Sequence, residues 1–376
     1  MIFAMLYPVG GISTFIINLI SQLKQSFYFH LVSSGVPFEL KKNTVLHDKN
    51  ITLSTAPIYS IKNLLAIGHI RKIIRDYKPN YIVCMDIFPA VSAVCSRFFS
   101  REKIPITIIK VCTPFGFKKK VEWKNKLIIY FLSLFMCSKK DRIVTVSPAV
   151  SDYIRSTPLS HIKVQMIPNG IDPVLNRDFS IQQDPLFKHL VFLGRLEYEK
   201  GPDRFLQVAK ALSTYPVKFH ILSEGSMRSE LESQVRKYQL ENTVIFHGWV
   251  DNITPFLLGM DAMLITSRTE GLPYSVLEAF RCRIPIISLN VGGLPYLLQG
   301  GKNGYLCKDL QEMINIVKRG FLLDELNFED KINHATILLK KEFSLLKMGD
   351  RYRRLFNNNG NRSSHMNREE IKTVTS

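Results

Sequence analysis

Short apolar runs alternate along this chain with longer stretches whose apolar residues return every third or fourth position. The runs predict strands over residues 2–7, 27–33, 81–86, 104–112, 142–147 and 163–167 in the first half. In the second half they predict strands over 189–194, 217–222, 244–246, 261–266 and 285–289. The stretches between them read as helices over 14–23, 203–212 and 227–240, and as helical or loop segments over 61–77 and 90–99. Helix 203–212 shows the pattern: Phe205, Val208, Ala209 and Leu212 fall at i, i+3, i+4 and i+7 and form one core-facing stripe. Strand alternating with helix implies a parallel, doubly wound sheet. The series runs twice, so the chain reads as α/β with two such domains.

Length and composition agree, since 376 residues with 46% apolar content are enough for two separate cores. Six cysteines (Cys84, Cys95, Cys112, Cys137, Cys282 and Cys307) are scattered, mostly in apolar stretches and without a C-x2-C pair. That argues for reduced, buried thiols in a cytoplasmic protein and against a disulfide frame or zinc site. The start carries no Lys or Arg before Lys24 and is broken by Pro8-Val-Gly-Gly11, which argues against a signal peptide.

Charge changes the picture for the first half. Residues 1–185 hold 24 Lys and Arg against 11 Asp and Glu, and residues 186–376 hold 26 against 21. No nucleic-acid module signature accompanies this excess, so no nucleic-acid partner is expected. Lys118, Lys119, Lys120, Lys124 and Lys126 lead into the apolar run 127–137, and Lys139 and Lys140 follow it. That run is too short to span a bilayer. Two readings stay open: a segment docked on an anionic membrane surface, or a core helix with solvated ends.

The candidate chemistry is concentrated in the second half. Residues 261–266 form a buried strand, the turn ends at Glu270-Gly271, and Pro273 opens a helix that carries Glu278. In an open parallel sheet ligands bind at this carboxyl edge, and the amides and dipole of a helix start favour phosphate there. The amides of Gly271, Leu272 and Tyr274 are the candidates. A sugar diphosphate on that helix start would meet Glu270 at its hexose and Glu278 at its ribose hydroxyls. Upstream, Arg195 and Lys200 flank another strand-to-helix turn, the guanidinium suited to a bidentate grip on a diphosphate and the ammonium to a mobile point charge. Gly10-Gly11 offers a close backbone approach at the first strand-to-helix turn, without the full G-x-G-x-x-G dinucleotide fingerprint.

Six motifs together, spread from about Tyr7 to Phe356, give the chain its resemblance. They are Gly10-Gly11, Ile167-Pro-Asn-Gly-Ile-Asp172, Gly194-Arg195-x4-Lys200-Gly201, Glu224-Gly225, Glu270-x7-Glu278 and Val291-Gly-Gly293. In order and spacing they resemble the retaining GT-B glycosyltransferases of family 4 type (glycosyl transferases group 1). The resemblance implies two Rossmann-like doubly wound domains facing across a cleft. The expected organisation is an acceptor-binding domain over 1–172, a linker over 173–188, and a nucleotide-sugar-binding domain over 189–334. A C-terminal helix over 335–356 would cross back to the first domain, and 357–376 would be a disordered tail.

The resemblance further implies that Gly10 and Gly11 lie against the donor phosphates or sugar, and that Glu224 and Val250, in Gly248-Trp-Val250, line the base and ribose. Four positions depart from the family pattern. Ser223 precedes Glu224-Gly225 where Gly is usual, Arg283 replaces a Gly after Cys282, and Tyr296 replaces a common Glu. The family's His near the end of strand 104–112 is replaced by Cys112-Thr-Pro114.

The expected function is retaining transfer of a sugar from a UDP- or GDP-linked donor to a lipid-linked or glycan acceptor, in surface polysaccharide or lipopolysaccharide synthesis. Such a protein would be cytoplasmic, either free or peripheral on the inner face of the cytoplasmic membrane. The chain has no Asp-x-Asp, so no metal and no other cofactor is expected. Arg195, Lys200 and the helix start would take the leaving charge, and Glu270 would orient the hexose and steady an oxocarbenium-like ring. A glycosidase also uses two carboxylates but has no need of a diphosphate clamp. The rivals are a GT-B nucleotide-sugar epimerase and a catalytically impaired GT-B subunit that binds a partner, the latter motivated by the missing His.

Overall fold

The computed structural model describes residues 2–6, 11–33, 44–55, 64–98, 104–113, 119–136, 138–175 and 181–357. They form two compact units, one of residues 1–146, 150–168 and 346–376 and the other of residues 147–149 and 169–345.

The first unit is built on seven parallel strands: β1 (Ile2–Leu6), β2 (Phe29–Ser33), β3 (Ile51–Thr55), β4 (Tyr81–Met85), β5 (Ile106–Lys110), β6 (Arg142–Thr145) and β7 (Lys163–Met166). Their order is β3-β2-β1-β4-β5-β6-β7, so the winding reverses between β1 and β4. Every residue of β4 and β5 is buried, as a parallel strand covered on both faces requires. Ile82, Ile106, Ile108 and Ile143 pack against Ile70, Ile74, Ala90 and Val94 from the helices Leu64–Tyr77 and Ile87–Phe98. Ile128, Ile129 and Leu132 of the helix Lys119–Phe135 complete that core, and the helix begins well before the apolar run that predicts it. Strand β3 is an addition to the predicted set.

The helix Leu345–Asn357 closes this unit. Tyr352 and Phe356 are buried, with ring contacts to Phe15 at 5.9 Å and Tyr81 at 5.3 Å. The Tyr81 hydroxyl donates to the Phe356 carbonyl, and Arg353 Nη2 donates to the Gln22 carbonyl at 2.9 Å.

The second unit holds β8 (Lys188–Leu193), β9 (Val217–Leu222), β10 (Val244–Phe246), β11 (Ala262–Ile265), β12 (Ile286–Leu289) and β13 (Tyr305–Cys307). All are parallel, in the order β10-β9-β8-β11-β12-β13, and the reversal falls between β8 and β11. The helix Pro202–Ala211 sets Phe205, Val208 and Ala209 against Phe219 and Leu264 in the core. Strand β13 and the helix Leu310–Val317 are further additions. Asp309 caps that helix, its carboxylate accepting from the Glu312 amide at 2.8 Å, so a readable cap signal preceded it.

The unit boundaries differ from those expected at 172 and 189. The second unit begins at Asn169 because Ile171 is already tied into it, its amide donating to the Phe343 carbonyl at 3.0 Å and its carbonyl accepting from Leu345 at 2.9 Å. Residues 335–356 are not one crossing helix: Glu329–Glu342 belongs to the second unit, and only the helix from Leu345 on joins the first. Residues 358–376, expected as a disordered tail, lie outside the described residues.

Candidate functional site

Two loops leave the carboxyl ends of β8 and β11, the neighbours that flank the reversal in the second sheet. That is where an open α/β sheet binds its ligands. The β8 loop passes Arg195, makes one turn at Tyr198–Lys200, and reaches Gly201 in the left-handed region at φ 66° before the helix Pro202–Ala211. Glycine is required there, since a Cβ would stand 2.2 Å from the Thr266 carbonyl oxygen. The loops are stitched together by Thr266 Oγ1 donating to the Gly201 carbonyl at 2.8 Å and by the Arg268 amide donating to Glu199 at 2.8 Å. Arg268 also makes a two-pronged ion pair with Asp203 at 2.8 and 2.6 Å.

At this junction the structure brings Lys200 and Glu270 together. The ammonium lies 2.8 Å from both carboxylate oxygens, and Ser267 Oγ donates to Glu270 Oε1 at 2.7 Å. Glu270 is only 5% exposed. A carboxylate so far from water is tolerable only when paired and hydrogen-bonded, and the three bonds from Lys200 and Ser267 meet that need.

The loop that presents Glu270 rests on two other predicted motifs. Gly292, at φ 54°, lies so close that a Cβ would come within 2.0 Å of the Glu270 carbonyl oxygen, and the Gly293 amide donates to that same oxygen at 3.0 Å. Buried Asn169, from the Ile167–Asp172 motif, donates through Nδ2 to the Leu272 carbonyl at 2.7 Å. Gly271 and Leu272 are buried and Tyr274 half-buried. Pro273 proves to be the N-cap, extended at φ −71° and ψ 133°, and the helix Tyr274–Cys282 starts one residue later than predicted. No side chain caps this helix, so its start stands beside Glu270 with its dipole unopposed by a first-turn acid.

Glu278, farther along the same helix, pairs with Arg281 one turn on. Burial pushes its carboxyl up, and Arg281 offsets part of that. Arg281 Nη2 also donates to Thr254 Oγ1 at 3.0 Å. Arg195, one of the two cations flanking the β8 loop, is held by Glu199 at 2.8 Å and is half-exposed. Glu224 accepts from Arg228 Nη1 at 2.8 Å. The Glu224-Gly225 turn is pinned to the Arg195 loop, with the Leu196 amide donating to Glu224 at 2.9 Å and room for no Cβ at Gly225, where one would stand 2.6 Å from the Leu196 backbone. Val250 is half-buried beside exposed Trp249.

In the first unit Gly10 lies outside the described residues, and Gly11 is exposed at the start of the helix Gly11–Leu23. Cys112 and Thr113, which stand where the family's His is expected, are half-buried. The structure adds a pair that sequence reasoning missed at the carboxyl edge of the first sheet. Lys110, the last residue of β5 and 4% exposed, donates to both Asp86 carboxylate oxygens at 2.7 and 2.9 Å. Asp86 follows β4 with φ 79°, a conformation non-glycine residues rarely hold, and its Oδ1 accepts from the Ile87 amide at 2.6 Å. Burial alone would lower the Lys110 pKa, but Asp86 outweighs it and the net shift is upward. The other departures are absorbed locally. Arg283 holds the left-handed C-cap position at φ 59°, and its guanidinium bonds Glu329 at 2.5 Å and Asn333 at 3.0 Å.

A preorganised carboxylate beside an ammonium, at a sheet edge next to a helix start, can hold a hydroxylated ring and receive a phosphate leaving group. Among the described residues no three His, Cys, Asp or Glu side chains group as metal ligands.

Comparisons with known proteins bear on this geometry. Residues 177–334 match the model of glycosyl transferases group 1, and residues 9–175 match that of glycosyltransferase family 4. The N-acetyl-alpha-D-glucosaminyl L-malate synthase of Bacillus anthracis is 24% identical over 317 residues, which cover 80% of this chain and 82% of that protein. The Escherichia coli UDP-Gal:alpha-D-GlcNAc-diphosphoundecaprenol alpha-1,3-galactosyltransferase is 24% identical over 276 residues, 69% of this chain and 70% of that one. The crystal structure of Anabaena HepE in complex with UDP and glucose superposes with a TM-score of 0.76 at 16% identity, covering 95% of this chain and 99% of that chain.

Proposed function

Because the chain belongs to the family 4 glycosyltransferases of the GT-B fold, we propose that it moves a hexose from a UDP- or GDP-linked donor to a lipid-linked or glycan acceptor with retention at the anomeric carbon. It is a glycosyltransferase of the kind that serves polysaccharide, lipopolysaccharide or glycolipid synthesis. The observation that carries the finer reading is the Lys200–Glu270 pair at the reversal point of the second sheet.

In this reading the diphosphate lies on the start of the helix Tyr274–Cys282, with Arg195 released from Glu199 to grip it. The bond between the anomeric carbon and the diphosphate breaks as one forms on the same face to the acceptor oxygen, whose proton passes to the departing diphosphate. Positive charge on the ring then falls beside Glu270, and the leaving charge beside Lys200, Arg195 and the helix dipole. Gly271, Leu272 and Tyr274 supply backbone donors, and Glu224, Val250 and Glu278 the nucleoside side of the site. These residues suffice for charge stabilisation without a metal or other cofactor, and metal independence is part of the proposal. The paired and buried Glu270 speaks against an impaired subunit.

The test is nucleoside diphosphate release from a panel of UDP- and GDP-hexoses, with a polyprenyl-diphosphate-linked N-acetylhexosamine as acceptor. Glu270→Gln should lower turnover by about a thousandfold, the range for losing one preorganised electrostatic partner, with the fold retained by circular dichroism. Unchanged turnover in that variant removes Glu270 from the mechanism, and an inverted anomer by NMR refutes retention.

A further inference from the structure

The helix Lys119–Phe135 has two apolar faces, and only one of them is buried. Ile128, Ile129, Leu132 and the following Met136 point into the core of the first unit. Leu127, Tyr130 and Leu134, at i, i+3 and i+7, line the other side and are 50%, 58% and 57% exposed. A helix with solvated ends serving only the core has polar residues on its outer face. Here that face is leucine and tyrosine. The patch extends sideways, since Phe135 at the helix end lies tilted against Phe131 at 4.6 Å and edge-on against Phe98 at 5.9 Å, and Phe98 is 69% exposed. Exposed Lys126, Lys139 and Lys140 rim it. Of the lysines upstream, Lys118 lies outside the described residues, and Lys119, Lys120 and Lys124 are placed only by their backbone on the helix.

We propose that this face is a membrane-docking surface that sits on an anionic bilayer, with Leu127, Tyr130, Leu134 and Phe98 entering the headgroup boundary and the lysines meeting lipid phosphates. Charge decides between occupants. A second copy of the chain would bring the same lysine rim against itself, in a half that carries 24 basic against 11 acidic residues, whereas an anionic surface neutralises it. The geometry suits lying in the interface and not crossing it: among the described residues no helix is long and apolar enough to span a membrane. Tyrosine fits that depth, with its ring in the apolar layer and its hydroxyl in the wet one. The inference extends the reading of a lipid-linked acceptor, but it is carried by the exposed face alone.

Sedimentation of the full chain with vesicles tests it without any turnover. Binding is expected to vesicles of equal parts phosphatidylglycerol and phosphatidylcholine, and to fall steeply with salt or on pure phosphatidylcholine. Lys139→Glu with Lys140→Glu should weaken partitioning by at least about fivefold per lysine. Leu127→Ser with Leu134→Ser should weaken it by at least about tenfold, with an unchanged melting temperature and unchanged stabilisation by nucleotides. Wild-type partitioning in the leucine double variant, or equal binding to neutral vesicles, overturns the proposal. So does a concentration-dependent dimer on gel filtration that the leucine variant abolishes, since the face is then a contact between copies. None of these results touches the nucleotide site, so failure here leaves the proposed reaction standing.

Discussion

Lys200→Met offers a sharp test of the site's electrostatics, because the size of its effect can be worked from one buried pair. The substitution removes both 2.8 Å charge-assisted bonds to Glu270 and leaves the carboxylate, 5% exposed, with the single hydrogen bond from Ser267. Removing one partner of a buried pair typically costs about 3–5 kcal/mol.

Calorimetry of wild type and variant reads this directly. For a unit of this size 1 kcal/mol moves the melting temperature by about 2–4 °C, so the gap between the proteins should be about 6–20 °C. Adding Glu270→Gln to Lys200→Met should recover most of the loss. A gap under about 1 kcal/mol, or no recovery in the double variant, would show that Glu270 is not a buried charge held by Lys200.

Two further outcomes follow from pairs of the same kind. In the second unit His189 Nδ1 meets His220 Nε2 at 2.9 Å, and His220 Nδ1 meets His247 Nε2 at 2.9 Å, while His189 Nε2 donates to the Asp184 carbonyl at 2.9 Å. A chain of neutral rings satisfies every contact, and protonating His220 puts its Nδ1–H against the Nε2–H of His247. Burial, with His247, His189 and Lys218 adding to it, lowers the His220 pKa to about 3. The unfolded state then binds more protons between about 6.5 and 3, so this contribution is lost as pH falls through that window, by roughly 2 kcal/mol at pH 5. His220→Phe should accordingly narrow its stability gap to wild type by about that amount between pH 7 and pH 5 in urea unfolding. In the first unit Asp86→Ala strands a buried ammonium, whereas Lys110→Met strands a carboxylate that is partly open to water. Asp86→Ala should therefore be the more destabilising, by roughly 3 kcal/mol or more against roughly 1–2 kcal/mol, and the reverse order in thermal unfolding would show that Asp86, not Lys110, is the buried partner.

Much of the fold can be read from the chain because fully buried parallel strands such as β4 and β5 are written as continuous apolar runs. Strand β3 evades that reading: Ile51-Thr-Leu-Ser-Thr55 is an edge strand with polar alternate residues and an exposed Leu53. Strand β13 has three residues, too short for any period to show. At the site, Glu270, Lys200 and Arg195 are visible as residue types at loop positions. Which of them meet is decided by β8 and β11 lying side by side, and no local spacing encodes that. Sequence reasoning reads Arg195 and Lys200 as a clamp for a diphosphate; in the structure Glu199 at i+4 holds the guanidinium and the Glu270 carboxylate holds the ammonium. Lys110–Asp86 stays hidden for the same reason, as its partners end two neighbouring strands. The helix Lys119–Phe135 is apolar on nearly every side, so the chain shows its hydrophobicity and only the structure shows which face is left outside.

The central claim is that the loops after β8 and β11 bind a nucleotide sugar. Thermal unfolding with UDP, GDP, ADP and their sugars, each at about a hundredfold its dissociation constant, tests it most directly, with Arg195→Ala alongside. Bound ligand at that level adds about 2.7 kcal/mol, so UDP or GDP and its sugars should raise the melting temperature of wild type by several degrees and that of Arg195→Ala by much less. No shift with any nucleotide, or an equal shift in Arg195→Ala, would contradict the account.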